Sequence, residues 1–196
     1  LQVQLENTHL PPSLRAETKM VLDEVNRLSA TLSQLLKFSR PAVLGGNATT
    51  SSDARAVLDE VLAVLRHEAD CRGIDLHLHA PTEPVHVAAS NEAAHEILSN
   101  LILNALEATP RGGAVEITMR TTNGFCEIVM DDDGIGIPSG LQQKILQPFF
   151  TTKTQGTGLG LTIVVRRLAE AGGTLDFTSP RENGRGTRCI VRLRVL

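Results

Sequence analysis

Three stretches of the chain carry residues that could do chemistry. Asn100 and Asn104 are four apart, so on a helix they share a face one turn apart, with Glu107 three residues further on. An Asn carbonyl oxygen is a hard donor, suited to a metal ion that bridges phosphate oxygens. The bland alternative is a packing role for each amide, but two amides in an apolar helix are costly unless something bonds them. Asp132-Asp133-Gly134-Ile135-Gly136-Ile137-Pro138 sets a carboxylate ahead of glycines that let backbone approach a ligand. Such a carboxylate could accept the exocyclic amine of a purine, although Asp-Gly clusters are mostly plain turns. Gly156-Thr157-Gly158-Leu159-Gly160-Leu161 opens a predicted helix. Its bare backbone N–H groups and the positive end of a helix dipole suit a phosphate; alone, a Gly-rich turn is more often a hinge. These glycines come late and between antiparallel segments, which does not fit a dinucleotide fingerprint, and no Gly-Lys-Ser/Thr follows to make a P-loop.

Hydrophobic periodicity outlines the scaffold that must position these groups. Val57, Leu58, Val61, Leu62 and Leu65 predict a helix from Asp53 to Cys71, stopped by Gly73. Ile74–His79 and Val85–Ala88 read as short strands. Ile97, Leu98, Leu101, Ile102, Ala105 and Leu106 predict a helix from Asn91 to Ala108 that carries both amides. Ala114–Arg120 and Phe125–Asp131 read as strands joined by the hairpin turn Asn123-Gly124. A further helix is predicted over Thr157–Ala171, followed by strands over Leu175–Thr178 and Thr187–Val195. The sum is an α+β fold: a two-layer sandwich of a mixed, mostly antiparallel sheet and about three helices. Between Asp131 and Thr157 lies a long stretch with little periodicity, and a loop of that length in a compact domain is usually functional.

A long helix is predicted ahead of the sandwich. Leu14, Val21, Val25, Leu28, Leu32 and Leu35, with Thr18 in the skipped slot, follow heptad spacing, and Leu22, Leu36 and Phe38 widen the apolar face. From a Ser13 cap to Ser39, before Arg40-Pro41, it would span about 40 Å. Such a seam must pack on its own domain or in a dimeric bundle. Residues 42–53 read as a Gly/Asn/Thr/Ser linker. Three parts are therefore expected: the helical residues 1–41, the linker 42–53 and the sandwich 54–196.

Composition narrows the classes. The 196 residues carry a net charge of −3 with 41% hydrophobic residues, so global disorder is excluded and no basic excess points to nucleic acid or anionic lipid. No apolar run approaches the roughly 18 residues of a membrane span, and LQVQLENTHLPP is not a signal peptide, so no membrane contact is expected. Three cysteines without paired spacing argue against a disulfide scaffold or zinc site and fit a reducing cytoplasm.

In order along the chain, Asn100-x-x-x-Asn104-Ala105-x-x-Ala108, Asp132-x-Gly134-x-Gly136, Gln147-Pro148-Phe149-Phe150-Thr151-Thr152-Lys153 and Gly156-Thr157-Gly158-Leu159-Gly160-Leu161 resemble the N, G1, F and G2 boxes of the ATP-binding domain of sensor histidine kinases. PFFTTK and GTGLGL look like the nitrogen-regulation branch, and LDEVNRLSATLSQLLKFSRP resembles the second helix of that family's dimerisation domain. The resemblance implies ATP and Mg²⁺ as cofactors. Asp132 would accept the adenine amine, with Gly134, Gly136 and Ile137 close to the base and Thr187 bonding near it. Asn104 would hold Mg²⁺, Asn100 would lie near the phosphates, and Lys153 would add charge. These three would form the catalytic set. Gly156, Thr157, Gly158, Leu159, Gly160 and Leu161 would cradle phosphates, and Phe149 with Phe150 would anchor a movable lid. A response regulator receiver domain and a second copy, paired through the helical domain, are the implied partners.

The family's phosphoacceptor motif, similar to His-Glu-hydrophobe-x-x-Pro-Leu, is matched by none of the six histidines. His9 lacks a following acid, His67-Glu68 continues as Ala-Asp-Cys, His77, His79 and His86 fall on predicted strands, and His95-Glu96-Ile97 lacks the proline and lies on the amide helix. The chain is expected to be a piece beginning after the acceptor. Alternatives are an ATPase similar to gyrase, mismatch-repair or heat-shock chaperone enzymes, a sigma-factor-antagonist serine kinase, and a nucleotide-switched or partner-binding module without catalysis. The ATPases place a Glu four residues before the metal-binding Asn, where this chain has Asn100, an amide that cannot act as a base. Incubated with Mg²⁺ and γ-labelled ATP, the chain is expected to bind nucleotide without labelling itself. Stable acid-labile label would reveal an acceptor, sought first at His9 and His67.

Overall fold

Alternation in the strands and three-four spacing in the helices leave one apolar face on each, and the two sets of faces close on each other. The computed structural model describes residues 14, 17–22, 24–25, 50–153, 156–181 and 184–196. The chain divides into two units, Leu1–Pro41 and Ala42–Leu196. In the first, the described residues are helical, and the seam positions Leu14, Val21 and Val25 are exposed. The Ser13 cap, the seam from Leu28 to Phe38, the Arg40-Pro41 stop and residues 42–49 of the predicted linker lie outside the described residues.

The second unit opens with β1 (Ser52–Asp53), and α1 (Ala54–Arg72) follows directly. β1 pairs antiparallel with β3 (His86–Val87), so the end of the predicted linker is part of the fold. The reason is the Asp53 side chain. Its Oδ1 accepts from Arg55 N and Val85 N, both at 3.0 Å, capping α1 and pinning the chain before β3. α2 (Asn91–Ala108) is capped by Ser90, whose Oγ accepts from Ala93 N at 3.1 Å. β2 (Asp75–His79), β4 (Ala114–Thr122), β5 (Phe125–Asp132), β6 (Thr174–Thr178) and β7 (Thr187–Arg194) form one sheet in the order β2-β4-β5-β7-β6. β2 runs parallel to β4, and every other pairing is antiparallel. With α3 (Gly160–Ala171) the fold is the expected α+β sandwich. No helix among the described residues is long and apolar enough to cross a membrane.

The core lies between the helices and the inward positions of the sheet. Val115, Ile117, Met119, Ile128, Met130, Val191 and Leu193 meet Leu58, Leu62, Ile97, Leu98, Ile102 and Leu106 from α1 and α2. The outward face of β5 departs from simple alternation. Glu127 points away from the core yet is 4% exposed. It accepts from Arg120 Nε at 2.8 Å and Arg192 Nε at 2.8 Å, and Arg192 Nη1 continues to Asp176 Oδ2 at 2.5 Å. The arginine stems shield what alternation would leave to water.

The bonded Arg120 guanidinium, acting against burial and joined by Arg192, holds the Glu127 carboxyl below its usual range. A depressed carboxyl adds stability above its unfolded-state pKa, and this is lost as pH falls through the folded-state value. Glu127→Gln should lower the unfolding free energy near neutral pH by about 1–2 kcal/mol, the modest end for charged hydrogen bonds because Arg120 is largely in water. Urea denaturation checks this, and the difference should vanish on acidification.

Candidate functional site

Asp132 closes β5 with its side chain on the core side, 6% exposed. Oδ1 accepts from Gly134 N at 2.8 Å and Thr187 N at 3.1 Å. Oδ2 has no hydrogen-bond partner among the described residues. Burial raises the carboxyl above its ordinary value, against the lowering effect of the two amides and of Arg181. Ser179 gathers the surrounding backbone. Its Oγ accepts from Ile137 N at 2.6 Å, donates to Gly186 O at 3.0 Å and lies 3.2 Å from Thr187 Oγ1. Gly186 must be glycine: at φ +72° a Cβ there would overlap the Asp132 carbonyl oxygen. A Cβ on Gly136 would sit 3.0 Å from Ser179 Oγ, and one on Gly134 2.8 Å from Ala108 O. Asp132, Gly134, Gly136, Ile137 and Thr187 thus form one corner, seated on the end of α2.

The second cluster lies along the same helix. Asn100 and Asn104 are half-buried on the rim of α2, not enclosed in its apolar face as the sequence suggested. Asn100 Nδ2 donates to Glu96 O at 2.7 Å. Its Oδ1 lies 3.0 Å, and Asn104 Nδ2 3.9 Å, from where a Cβ on Gly160 would be, so the start of α3 is pressed against the amide pair. Lys153 Nζ donates to Asn104 Oδ1 at 3.1 Å and pairs with the Glu107 carboxylate. A cation therefore already rests on two hard oxygens, and that donor set fits a divalent ion. Asn100, Asn104 and Ala108 mark successive turns, so roughly 12 Å of helix joins the two clusters.

The helix predicted from Thr157 begins at Gly160. Gly158 prevents an earlier start. It is left-handed at φ +68°, and a Cβ there would overlap the backbone of Phe149 and Phe150. Phe149 N donates to Gly158 O at 3.1 Å. Phe149 itself has φ +65° and is 60% exposed, an unusual state for a bulky residue. Leu159 is buried, and Leu161 packs on the core. No side-chain hydrogen bond caps α3 among the described residues, which leaves its first amides available to an anion. Gly156 abuts Thr151 and Lys153. Between Ile137 and Lys153 the chain forms two 3₁₀ turns, Ser139–Leu141 and Lys144–Leu146, neither with a buried residue. Thr154 and Gln155, at the far end of the predicted lid, lie outside the described residues.

The profile of the histidine kinase-, DNA gyrase B-, and HSP90-like ATPases matches residues 89–196, which include both clusters. The chain belongs to this ATPase family. Among curated relatives, the sensor histidine kinase ZraS of Escherichia coli (strain K12) is 30% identical over 177 residues, 90% of this chain and 37% of that protein. Sporulation kinase A of Bacillus subtilis (strain 168) is 30% identical over 166 residues, 84% of this chain and 27% of the relative. The chain thus spans well under half the length of these relatives. Among solved structures, the catalytic domain of histidine kinase ThkA superposes with a TM-score of 0.67 at 33% identity, covering 74% of this chain and 94% of that one. ThkA in complex with its response regulator TrrA gives 0.75 at 26% identity, covering 99% and 55%.

Within this ATPase domain, sequence reasoning missed Ser179 and Arg181. A Ser-Pro ahead of a Gly-rich turn reads as ordinary turn chemistry, and only the tertiary fold sets it against Asp132. With no buried residue in its two turns, the segment from Ser139 to Lys153 should exchange amide hydrogens far faster than α2. Adding Mg-ATP should slow it, and equal protection with and without nucleotide would count against a lid.

Proposed function

We propose that this chain is the ATP-binding catalytic part of a sensor histidine kinase, with the catalytic domain running from β1 at Ser52 to the end of the chain, the linker before it from residue 42, and 1–41 as part of the dimerisation domain. The observation that carries the reading is the seating of Gly160 on Asn100 and Asn104, about two helical turns along α2 from Asp132. That interval suits a nucleotide lying along the helix, base at one end and phosphates at the other.

The base end reads the purine. With Oδ1 held by two amides, Asp132 offers Oδ2 to the adenine amine, which a 6-oxo purine lacks. Gly134, Gly136 and Ile137 wall the base, and Thr187 bonds beside it. At the other end Gly156, Thr157, Gly158, Leu159, Gly160 and Leu161 bring backbone donors to the phosphates, and Phe149 anchors the lid. Asn104 would hold Mg²⁺ with Glu107 beside it, and Asn100 orients on the phosphates. Bound there, Mg²⁺ neutralises charge on the phosphate oxygens. Lys153, seated on Asn104 and Glu107, would add positive charge beside the phosphates. Phosphoryl transfer depends on such positioning and neutralisation more than on proton transfer. The phosphate would pass to a histidine and then to a response regulator receiver domain, the kind of partner with which ThkA is found. The exposed Leu14, Val21 and Val25 support pairing with a second copy through the helical unit. Cytoplasmic location follows from this role.

Hydrolysis as the native reaction is disfavoured by the placement of the acids on α2: Glu107 is paired with Lys153. Glu96 is buried, and its Oε2 accepts from Arg167 Nε at 2.8 Å. Asn100 holds the slot an activating Glu would need.

Asp132→Ala should remove a charged hydrogen bond of roughly 1.5–3 kcal/mol and weaken ATP binding about ten- to a hundredfold. Calorimetry in Mg²⁺ checks this. Because the acceptor must be ionised and its carboxyl is raised, wild-type affinity should also fall on acidification before an ordinary Asp would protonate. Unchanged affinity in the variant would remove the adenine assignment.

A further inference from the structure

Asp131, Asp132 and Asp133 put three carboxylates in a row at the end of β5. Asp131 points to the outer face and is held by Arg188, with Nε to Oδ1 and Nη2 to Oδ2 both at 2.8 Å. Asp133 Oδ2 accepts from Ala114 N at 3.3 Å. Asp132 alone is turned inward and buried, where an ionised carboxylate is least favoured.

One guanidinium reaches all three residues. Arg181 Nη1 donates to Asp132 O at 2.9 Å and lies 3.6 Å from Asp133 Oδ1, while its Nε lies 3.8 Å from Asp131 Oδ1. The turn between β6 and β7 fixes it there: Arg181 N donates to Arg185 O at 3.2 Å, and Gly184 N donates to Arg181 O at 2.9 Å. Gly186 leaves room for the stem, since a Cβ there would stand 3.4 Å from Arg181 Cδ. We propose that Arg181 is a positioning residue for nucleotide recognition, the counter-charge that keeps the inward carboxylate of Asp132 ionised and able to accept a base amine.

The charged surroundings leave this task to Arg181. From β5 comes Asp131, whose charge opposes ionisation, and Asp133 follows just beyond the strand end. From β4, Glu116 sits opposite Asp131. From β7, Arg188 is engaged by Asp131, and the Cys189 thiol, pushed up to about 12 by burial and by the Asp132 charge, is neutral. α2 contributes backbone at Ala108. Arg185 lies on the same turn as Arg181. The lowering effect of Arg181 on the Asp132 carboxyl agrees with this arrangement.

The inference rests on the nucleotide reading, and its test has an arm that does not. The full chain, with carboxyl-¹³C aspartate, is titrated by NMR without nucleotide, and Asp132→Asn assigns the Asp132 signal. In Arg181→Gln the Asp132 midpoint should rise by about one pH unit, and Arg181→Lys should restore most of the shift. In parallel, calorimetry with Mg-ATP should show binding in Arg181→Gln failing about one pH unit higher than in wild type, with affinities converging at alkaline pH. An unmoved Asp132 midpoint, or binding weakened equally at every pH, overturns the proposal. If wild type binds no ATP, the nucleotide reading fails while the titration still decides whether Arg181 governs Asp132.

Discussion

A buried carboxylate with one oxygen committed and one open is the constraint around which the site is arranged. Asp132 Oδ1 is shared by Gly134 N and Thr187 N, from turns far apart in sequence. This shared oxygen locks the chain leaving β5 to the start of β7, where Asp132 and Thr187 already face each other in the ladder. It also explains the glycines nearby. The backbone must pass so close to Asp132 that a side chain at Gly186 has no space. Ser179 completes the corner by holding Ile137 N from the other side, so the chain beyond Gly136 is fixed next to the bonds that hold Asp132.

α2 converts that corner into an extended site. It is the only described helix with successive site contacts along its length: the start of α3 on Asn100 and Asn104, Lys153 on Asn104 and Glu107, and the Gly134 turn on Ala108. Its apolar face is sunk in the core through Ile97, Leu98, Ile102 and Leu106, so the spacing of these contacts is set by a helix anchored in the core. The segment from Ser139 to Lys153 is tied by Gln142 Nε2 to Ser179 O and by Phe149 N to Gly158 O, but buries nothing in its own turns. Rigidity and mobility are thus divided by burial.

Much of this was legible in the sequence because period and punctuation are local. The α1 stop at Gly73, the Asn123-Gly124 hairpin and the apolar face of α2 follow from residues within a few positions of each other, and the sandwich follows from their sum. What local reasoning misplaced had a tertiary cause. Thr157 looked like a helix start, but the backbone of Phe149 occupies the space a helix through Gly158 would need. Ser52 and Asp53 looked like linker, but Asp53 bonds Val85 N across the fold. Asn100 and Asn104 sit on the rim of α2, because α2 crosses the edge of the core where the α3 loop arrives. For the candidate site, the structure gathers the motif residues into two clusters along α2. The residues that tune them, Ser179 and Arg181, carry no pattern of their own and become visible only when the β6–β7 turn is folded against Asp132.

The distribution of charge follows from the same geometry. A sheet with one face on the helices leaves its other face to water, yet here Glu127 is shielded there between Arg120 and Arg192, and Asp131 is gripped by Arg188. These pairs bind neighbouring strands together across the outer face and consume the acidic groups of β5 one by one. Asp132, alone on the inner face, cannot join them, because its cross-strand neighbours are Val115 and Thr187, neither of which carries a charge. Arg181 reaches it from beyond the strand end, through the backbone carbonyl and not through the carboxylate, leaving Oδ2 uncovered. A direct ion pair would stabilise the charge better but would fill the position proposed for the base amine. Holding the counter-charge one bond away is the arrangement that satisfies both demands.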